Sequence, residues 1–184
     1  MINYDLPTTV TIDGAEYPIN RNGDYRMVLD VIAALNDDNL NKSEKAYAAL
    51  CIFYDFNIPS DAQKAMNEII DFINCGDSED EGQKEPPIMN WEQDFPLLIS
   101  PINKTIGHEI RAMDYLHWWT FISAYMEIGE CMFKTVVDIR RKKRKNKKLD
   151  NWEREFYAKN KKKVDLKVKF DDEEKEFFKK LIGE

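Results

Sequence analysis

"DYLHWWTFISAYMEIGE", Asp114 to Glu130, holds five aromatic side chains, a histidine and two adjacent tryptophans. Placed on a helix at about 100° per residue, Tyr115, Trp118, Trp119, Ile122, Tyr125 and Met126 share one arc of about 120°. His117, Phe121, Ala124 and Ile128 form a second stripe beside it. Thr120, Ser123 and Glu127, with Leu116 among them, leave only a narrow polar strip. A surface helix carries one apolar stripe, so this segment requires burial over most of its circumference. Either it is the central helix of the fold, or it buries one stripe and offers the other to a partner. Trp and Tyr suit both roles. Trp119 and Ile122, in the middle of the broader arc, are assigned to the core, and the Phe121 stripe to the partner side.

Downstream, "CMFKTVVDI" continues the helical pattern into a basic run in which Arg140, Arg141, Lys142, Lys143, Arg144, Lys145, Lys147 and Lys148 occupy eight of nine positions. Such a run could neutralise nucleic-acid phosphates, with Trp152 and Tyr157 nearby to stack on bases. It also suits a solvated helix end, where cations complement the dipole, or a docking stripe for acidic parts of the chain. The sequence pI near 5.0 argues against a nucleic-acid module, and the run is expected to be dispensable for folding. Asp150 and Glu153 cap "DNWEREFYAKN", where Trp152 and Phe156 share a face. "VDLKVKF" alternates like a strand at Val164, Leu166, Val168 and Phe170. "DDEEKEFFKKLIGE" carries acids first and lysines last, as a helix prefers.

Upstream, Pro96 and Pro101 interrupt the helical spacing of "NWEQDFPLLISPINKTIG", leaving two short helices or one kinked helix. The acidic stretch 77–87 ends in two prolines and reads as an exposed linker. Three helices precede it. Asp24 caps the first and Asn41 with Glu44 the second. Ser60 with Gln63 caps the third, whose buried stripe is Met66, Ile69, Ile70 and Ile73 and whose stop is Gly76. Asp13-Gly14 between alternating apolar residues predicts a hairpin over 8–20.

With 43% hydrophobic and 12% aromatic residues the chain can build a core, and seven glycines and seven prolines are too few for a turn-rich fold. The expected architecture is a mainly α helical bundle with an N-terminal β-hairpin. It comprises one domain over 1–160 and an extended, partly helical C-terminal arm over 161–184. Cys51, Cys75 and Cys131 form no C-x-x-C pair, and "HEIRA" at His108 lacks the second histidine of a zinc motif. No glycine-rich phosphate loop or nucleophile elbow occurs. His117 reads as a packed or hydrogen-bonded helix histidine. No catalytic residues, metal or cofactors are expected. No leader or membrane span is recognisable. Residues 1–110 carry 7 basic and 20 acidic side chains, and 111–184 carry 20 and 14. The two parts are therefore expected to touch through opposite charge, within a subunit or between copies.

"LPTTVTIDGAEYPIN", "MNWEQDFPLLISPINKTIGHEIR", "YLHWWTFISAYMEIGE" and "KKLDNWEREFY" together resemble the tail assembly chaperones of long-tailed bacteriophages and prophages of Gram-positive bacteria. The "LHWWTF…YMEIG" run is the most specific piece, and 77–87 and the residues after Lys161 match least. The resemblance implies a homo-oligomeric protein of the host cytoplasm, absent from the mature virion. It would coat the tape measure protein until tail tube protein subunits polymerise around it. Candidate client contacts are Trp91, Phe95, His117, Trp118, Phe121, Tyr125 and Ile128, with residues 140–148 as a charged patch. The alternative is a nucleic-acid-binding phage regulator using 140–148.

Overall fold

The computed structural model describes residues 5–76 and 88–167. In chain order these form β1 (Thr9–Ile12), β2 (Ala15–Pro18), α1 (Tyr25–Leu35), α2 (Lys42–Tyr54), α3 (Ala62–Ile73), α4 (Trp91–Ile106), α5 (Trp118–Met126), α6 (Met132–Arg144) and α7 (Asn151–Val164). The protein is mainly helical with an N-terminal antiparallel hairpin, as its patterning predicts. The expected linker 77–87, the strand-like positions Val168 and Phe170, and the expected terminal helix lie outside the described residues.

Asp13 and Gly14 both have positive φ, the geometry that a tight two-residue hairpin turn needs. Val10 and Ile12 are buried while Thr9 and Thr11 are exposed. The hairpin therefore lays one face on the helical core, including α3, without which it would be marginal in water. Gly23 follows, with φ +76. A Cβ there would stand 2.6 Å from the Phe72 ring and 3.0 Å from the His117 ring, so this close approach requires glycine.

Asp24, the Asn41–Glu44 pair and the Asp150–Glu153 pair cap their helices as expected. The third helix departs from its expected start. Asp61, rather than Ser60 with Gln63, accepts the Lys64 N–H, since a carboxylate is the stronger acceptor for an orphan amide. Its end is Ile73, three residues before Gly76. Its buried residues are Ala65, Ile69 and Phe72, whereas Ile70 is exposed. Phe72 sets that phase by packing edge-on against Phe53.

α4 is one continuous helix through Pro96 and Pro101. Each proline removes a ladder donor, but Leu98 and Ile102 are fully buried, and this packing carries the helix across both positions.

The largest correction concerns 114–130, where only Trp118–Met126 is helical. Leu116 commits its backbone elsewhere. Its C=O accepts the Tyr25 N–H at 2.9 Å, and its N–H donates to Asp24 Oδ2 at 3.0 Å. Asp24 and His117 form an antiparallel bridge. Extended backbone thus reaches His117, which becomes the N-cap by accepting the Trp119 N–H on Nδ1 at 3.1 Å. The helix closes at Glu127, and α6 restarts at Met132. The expected run-on into "CMFKTVVDI" is therefore broken, and α5 and α6 each lay a face on α4.

The inward face is also centred elsewhere than expected, on Phe121 and Trp118 rather than on Trp119 and Ile122. Phe121, His117, Trp118 and Ala124 are buried, Trp119 and Ile122 are half-buried, and Met126 is 73% exposed. Phe121 stacks on Tyr25 with centroids 4.7 Å apart and on Trp118 at 5.6 Å. A second, smaller core joins α6 to α7 through Val136, Ile139 and Val164, with Leu97 of α4 packed against it. Val164 ends α7 rather than beginning a strand, and α7 is kinked at Asn160, where its backbone leaves helical geometry (φ -122, ψ 23).

Candidate partner-binding groove

A groove of about 740 Å³ opens between α1 and the start of α4. Leu29, Ile32 and Ala33 line it from α1, and Met89, Trp91 and Phe95 from the other side. Helical spacing explains both walls. Leu29, Ile32 and Ala33 recur at i, i+3 and i+4, and Trp91 and Phe95 at i and i+4. Asp30, Asn36, Asp38, Asn90, Glu92 and Lys167 complete the lining. Tyr125 braces the wall from behind. Its hydroxyl lies 3.2 Å from the Met89 sulfur, and its ring centroid is 5.3 Å from that of Trp91.

Trp91, Trp118, Phe121 and Tyr125 come together as one aromatic cluster, but only Trp91 and Phe95 of the expected contacts line the groove. Trp118 and Phe121 are buried beneath it, so neither presents a surface to a client here. His117 is buried against Phe72, and half-buried Ile128 lies in the connection between α5 and α6. Leu29, Ile32 and Met89 were missed. The signal for Leu29 and Ile32 was the breadth of the apolar stripe in "YRMVLDVIAAL", wider than one packed face needs; Met89, outside any helix, left none.

The wall is held by a buried ion pair that the sequence did not announce. Asp94 is fully buried, and Arg140 is buried beside it. Arg140 Nη1 and Nη2 donate to Asp94 Oδ2 and Oδ1 at 2.6 and 2.8 Å. The remaining guanidinium donors reach the carbonyls of Ile88 at 3.2 Å, Lys163 at 2.8 Å and Val164 at 2.6 Å. All five N–H groups of the fork are thereby used. Asp94 Oδ2 also accepts the Asn90 N–H at 2.9 Å. The pair thus ties the first turn of α4 to α6 and, through the other Arg140 donors, to the C-terminal carbonyls of α7. It also supplies a direct contact between the acidic and basic parts of the chain.

Reading the whole basic run as solvated is therefore corrected at Arg140. In α6 the residue falls in phase with Phe133 and Val136, and in α4 Asp94 falls in phase with Leu98 and Ile102. A charge on each apolar stripe was the available signal. Beyond Arg140 the run is a surface feature. Lys142 pairs with Glu153. Lys143 Nζ lies 2.6 Å from Asp165 Oδ1 and 3.9 Å from the Tyr157 ring centroid. Arg141 pairs with Asp138, Arg144 is half-buried, and Lys145, Lys147 and Lys148 are exposed. Exposed pairs contribute little. Lys142 is the exception, because its partner Glu153 is buried. Changing Lys143, Lys145 and Lys147 together to Gln should leave the melting temperature close to that of the wild type. A large drop in a calorimetric scan would show that these lysines are packed as Arg140 is.

His117 has its tautomer set by its neighbours. Nδ1 accepts from the Trp119 N–H, so Nε2 carries the proton toward the Pro7 carbonyl at 3.0 Å. Burial holds its pKa below the ordinary imidazole value of 6.5, against a smaller opposing effect of the Pro7 carbonyl. Protonating Nδ1 would also destroy the cap. The neutral ring is the native form, so its contribution to stability is present above the unfolded-state value near 6.5 and is lost as pH falls through the lower folded value. Denaturant midpoints should therefore be lower at about pH 5.5 than at about pH 7.5. His117→Asn keeps a capping acceptor and should flatten that difference. An unchanged slope in the variant would place the titration elsewhere.

Among the described residues no three His, Cys, Asp or Glu side chains gather where they could hold a metal ion. No described helix is long and apolar enough to cross a membrane. No curated protein and no solved structure matches the chain. The family model for the Bacteriophage Gp15 protein matches residues 2–166, a span that takes in the hairpin, the seven α-helices of the described residues, both walls of the groove and the Asp94–Arg140 pair. The chain belongs to the bacteriophage Gp15 protein family.

Proposed function

We propose that this phage protein is a tail assembly chaperone. It binds the tape measure protein in the host cytoplasm and keeps it soluble until tail tube subunits replace it, acting as a homo-oligomer and leaving no copy in the virion. Family membership supports the phage setting, and the four segments resembling tail assembly chaperones support the role. The observation that carries the reading is the groove between α1 and α4, where Trp91, Phe95, Leu29 and Ile32 leave an apolar trough open at the surface. Concave apolar surface suits the uptake of another chain's amphipathic helix.

The test is co-expression with the tape measure protein encoded beside this gene, with and without Ala33→Arg. Ala33 is exposed on the groove wall, so arginine should block the trough without disturbing the core. The soluble fraction of the client should rise with the wild type and fall back with the variant. A client equally insoluble in the presence and absence of the wild-type protein would rule the role out. Salt-sensitive retention on DNA or RNA by residues 140–148 would instead support a regulator.

A further inference from the structure

We infer that the helix taken up by the groove between α1 and α4 is cationic, with an apolar stripe bordered by Lys or Arg. The inference rests on the proposed chaperone role and specifies the class of client. The trough is apolar, but its rim is not neutral. Asp30 and Asp38 stand on the α1 side and Glu92 on the α4 side, and among the described lining residues Lys167 is the one cation. All four are exposed. The groove also lies largely in the acidic part of the chain, since residues 1–110 carry 7 basic and 20 acidic side chains. The field around it therefore has the same sign as its rim. An apolar helix flanked by lysines would be steered in and held at both walls, and one flanked by glutamates would be repelled. Residues 168–184 fit this rule poorly as an occupant, because they carry six acidic and four basic side chains.

The probes are fluorescein-labelled synthetic helices of one apolar sequence, flanked by Lys in one and by Glu in the other. Binding to the full chain is read by anisotropy. At low salt the Lys-flanked peptide should bind about tenfold more tightly, the sum of a few exposed charge contacts, and the gap should narrow at high salt. Asp30→Asn, Asp38→Asn and Glu92→Gln combined should erase the preference while leaving binding through the apolar lining. Ala33→Arg should weaken both peptides. Equal binding of the two peptides, or a preference that survives the triple variant, overturns the inference. So does Lys-peptide binding indifferent to Ala33→Arg, which would place the site elsewhere. Failure of both peptides, with a sedimenting dimer that Ala33→Arg dissociates, assigns the groove to a second copy and overturns it too. Co-solubility of the tape measure protein, read in the same variants, separates the two claims. A client held by the wild type without peptide discrimination leaves the chaperone role standing and removes the charge rule. A client never held removes the role itself.

Discussion

Asp94→Ala should lower stability by about 3–5 kcal/mol, the loss seen when one partner of a buried ion pair is removed. For a chain of this length that corresponds to a fall in melting temperature of about 6–20 °C. The cause is what remains behind. Arg140 would keep its charge in a site where its side chain is 6% exposed, with two of its five donors unmatched. The Asn90 N–H, which now donates to Asp94, would lose its acceptor at the first turn of α4. Asp94→Asn should cost less, because its amide oxygen can still accept one of these bonds. Replacing the pair together, Asp94→Leu with Arg140→Met, should recover part of the loss by removing both charges at once. The recovery should be incomplete, because the carbonyls of Ile88, Lys163 and Val164 then lose their donor. Denaturant unfolding of Asp94→Leu, Arg140→Met and the double variant measures the coupling. An Asp94→Ala loss below about 1 kcal/mol would mean that the site relaxes or admits water, and the pair would not be what holds the groove wall.

Phe121→Ala should cost about 3–5 kcal/mol, the range for a large aromatic removed from a packed core. Phe121 is fully buried and lies between Tyr25 and Trp118, with Trp91 adjacent. Its loss opens a cavity at the junction of α1, α4 and α5. Trp119→Ala should be the milder change, at about 1–3 kcal/mol. Trp119 is half-buried, and its Nε1 donates to the Phe72 carbonyl at 2.9 Å. Phe121→Leu retains most of the volume and should fall between wild type and Phe121→Ala. The comparison is decisive for the inward phase of α5. If Trp119→Ala proves the more damaging, the inward stripe is the one that helical spacing first suggested.

What the sequence by itself determined is local. The Asp13-Gly14 turn, the caps at Asp24, Asn41 and Asp150, and the apolar spacing of the helices are each written within a few residues, because turns and caps are satisfied by near neighbours. What the tertiary structure decided depends on partners far along the chain. Helical spacing shows which residues share a face but carries no sign for which face points inward. Tyr25 and Trp91 supply that sign for α5. Asp24, 92 residues from Leu116, takes up the Leu116 N–H and so holds Asp114–His117 out of the helix. Arg140 reads as one cation among eight until Asp94, 46 residues earlier, reaches it. A charge on an apolar stripe is a solvated end or a buried anchor according to whether its counter-charge arrives, and only the packing of α4 against α6 and α7 settles which. The groove has the same origin. Leu29 and Ile32 are ordinary apolar positions of α1, and they line a trough because the fold sets them opposite Met89, Trp91 and Phe95.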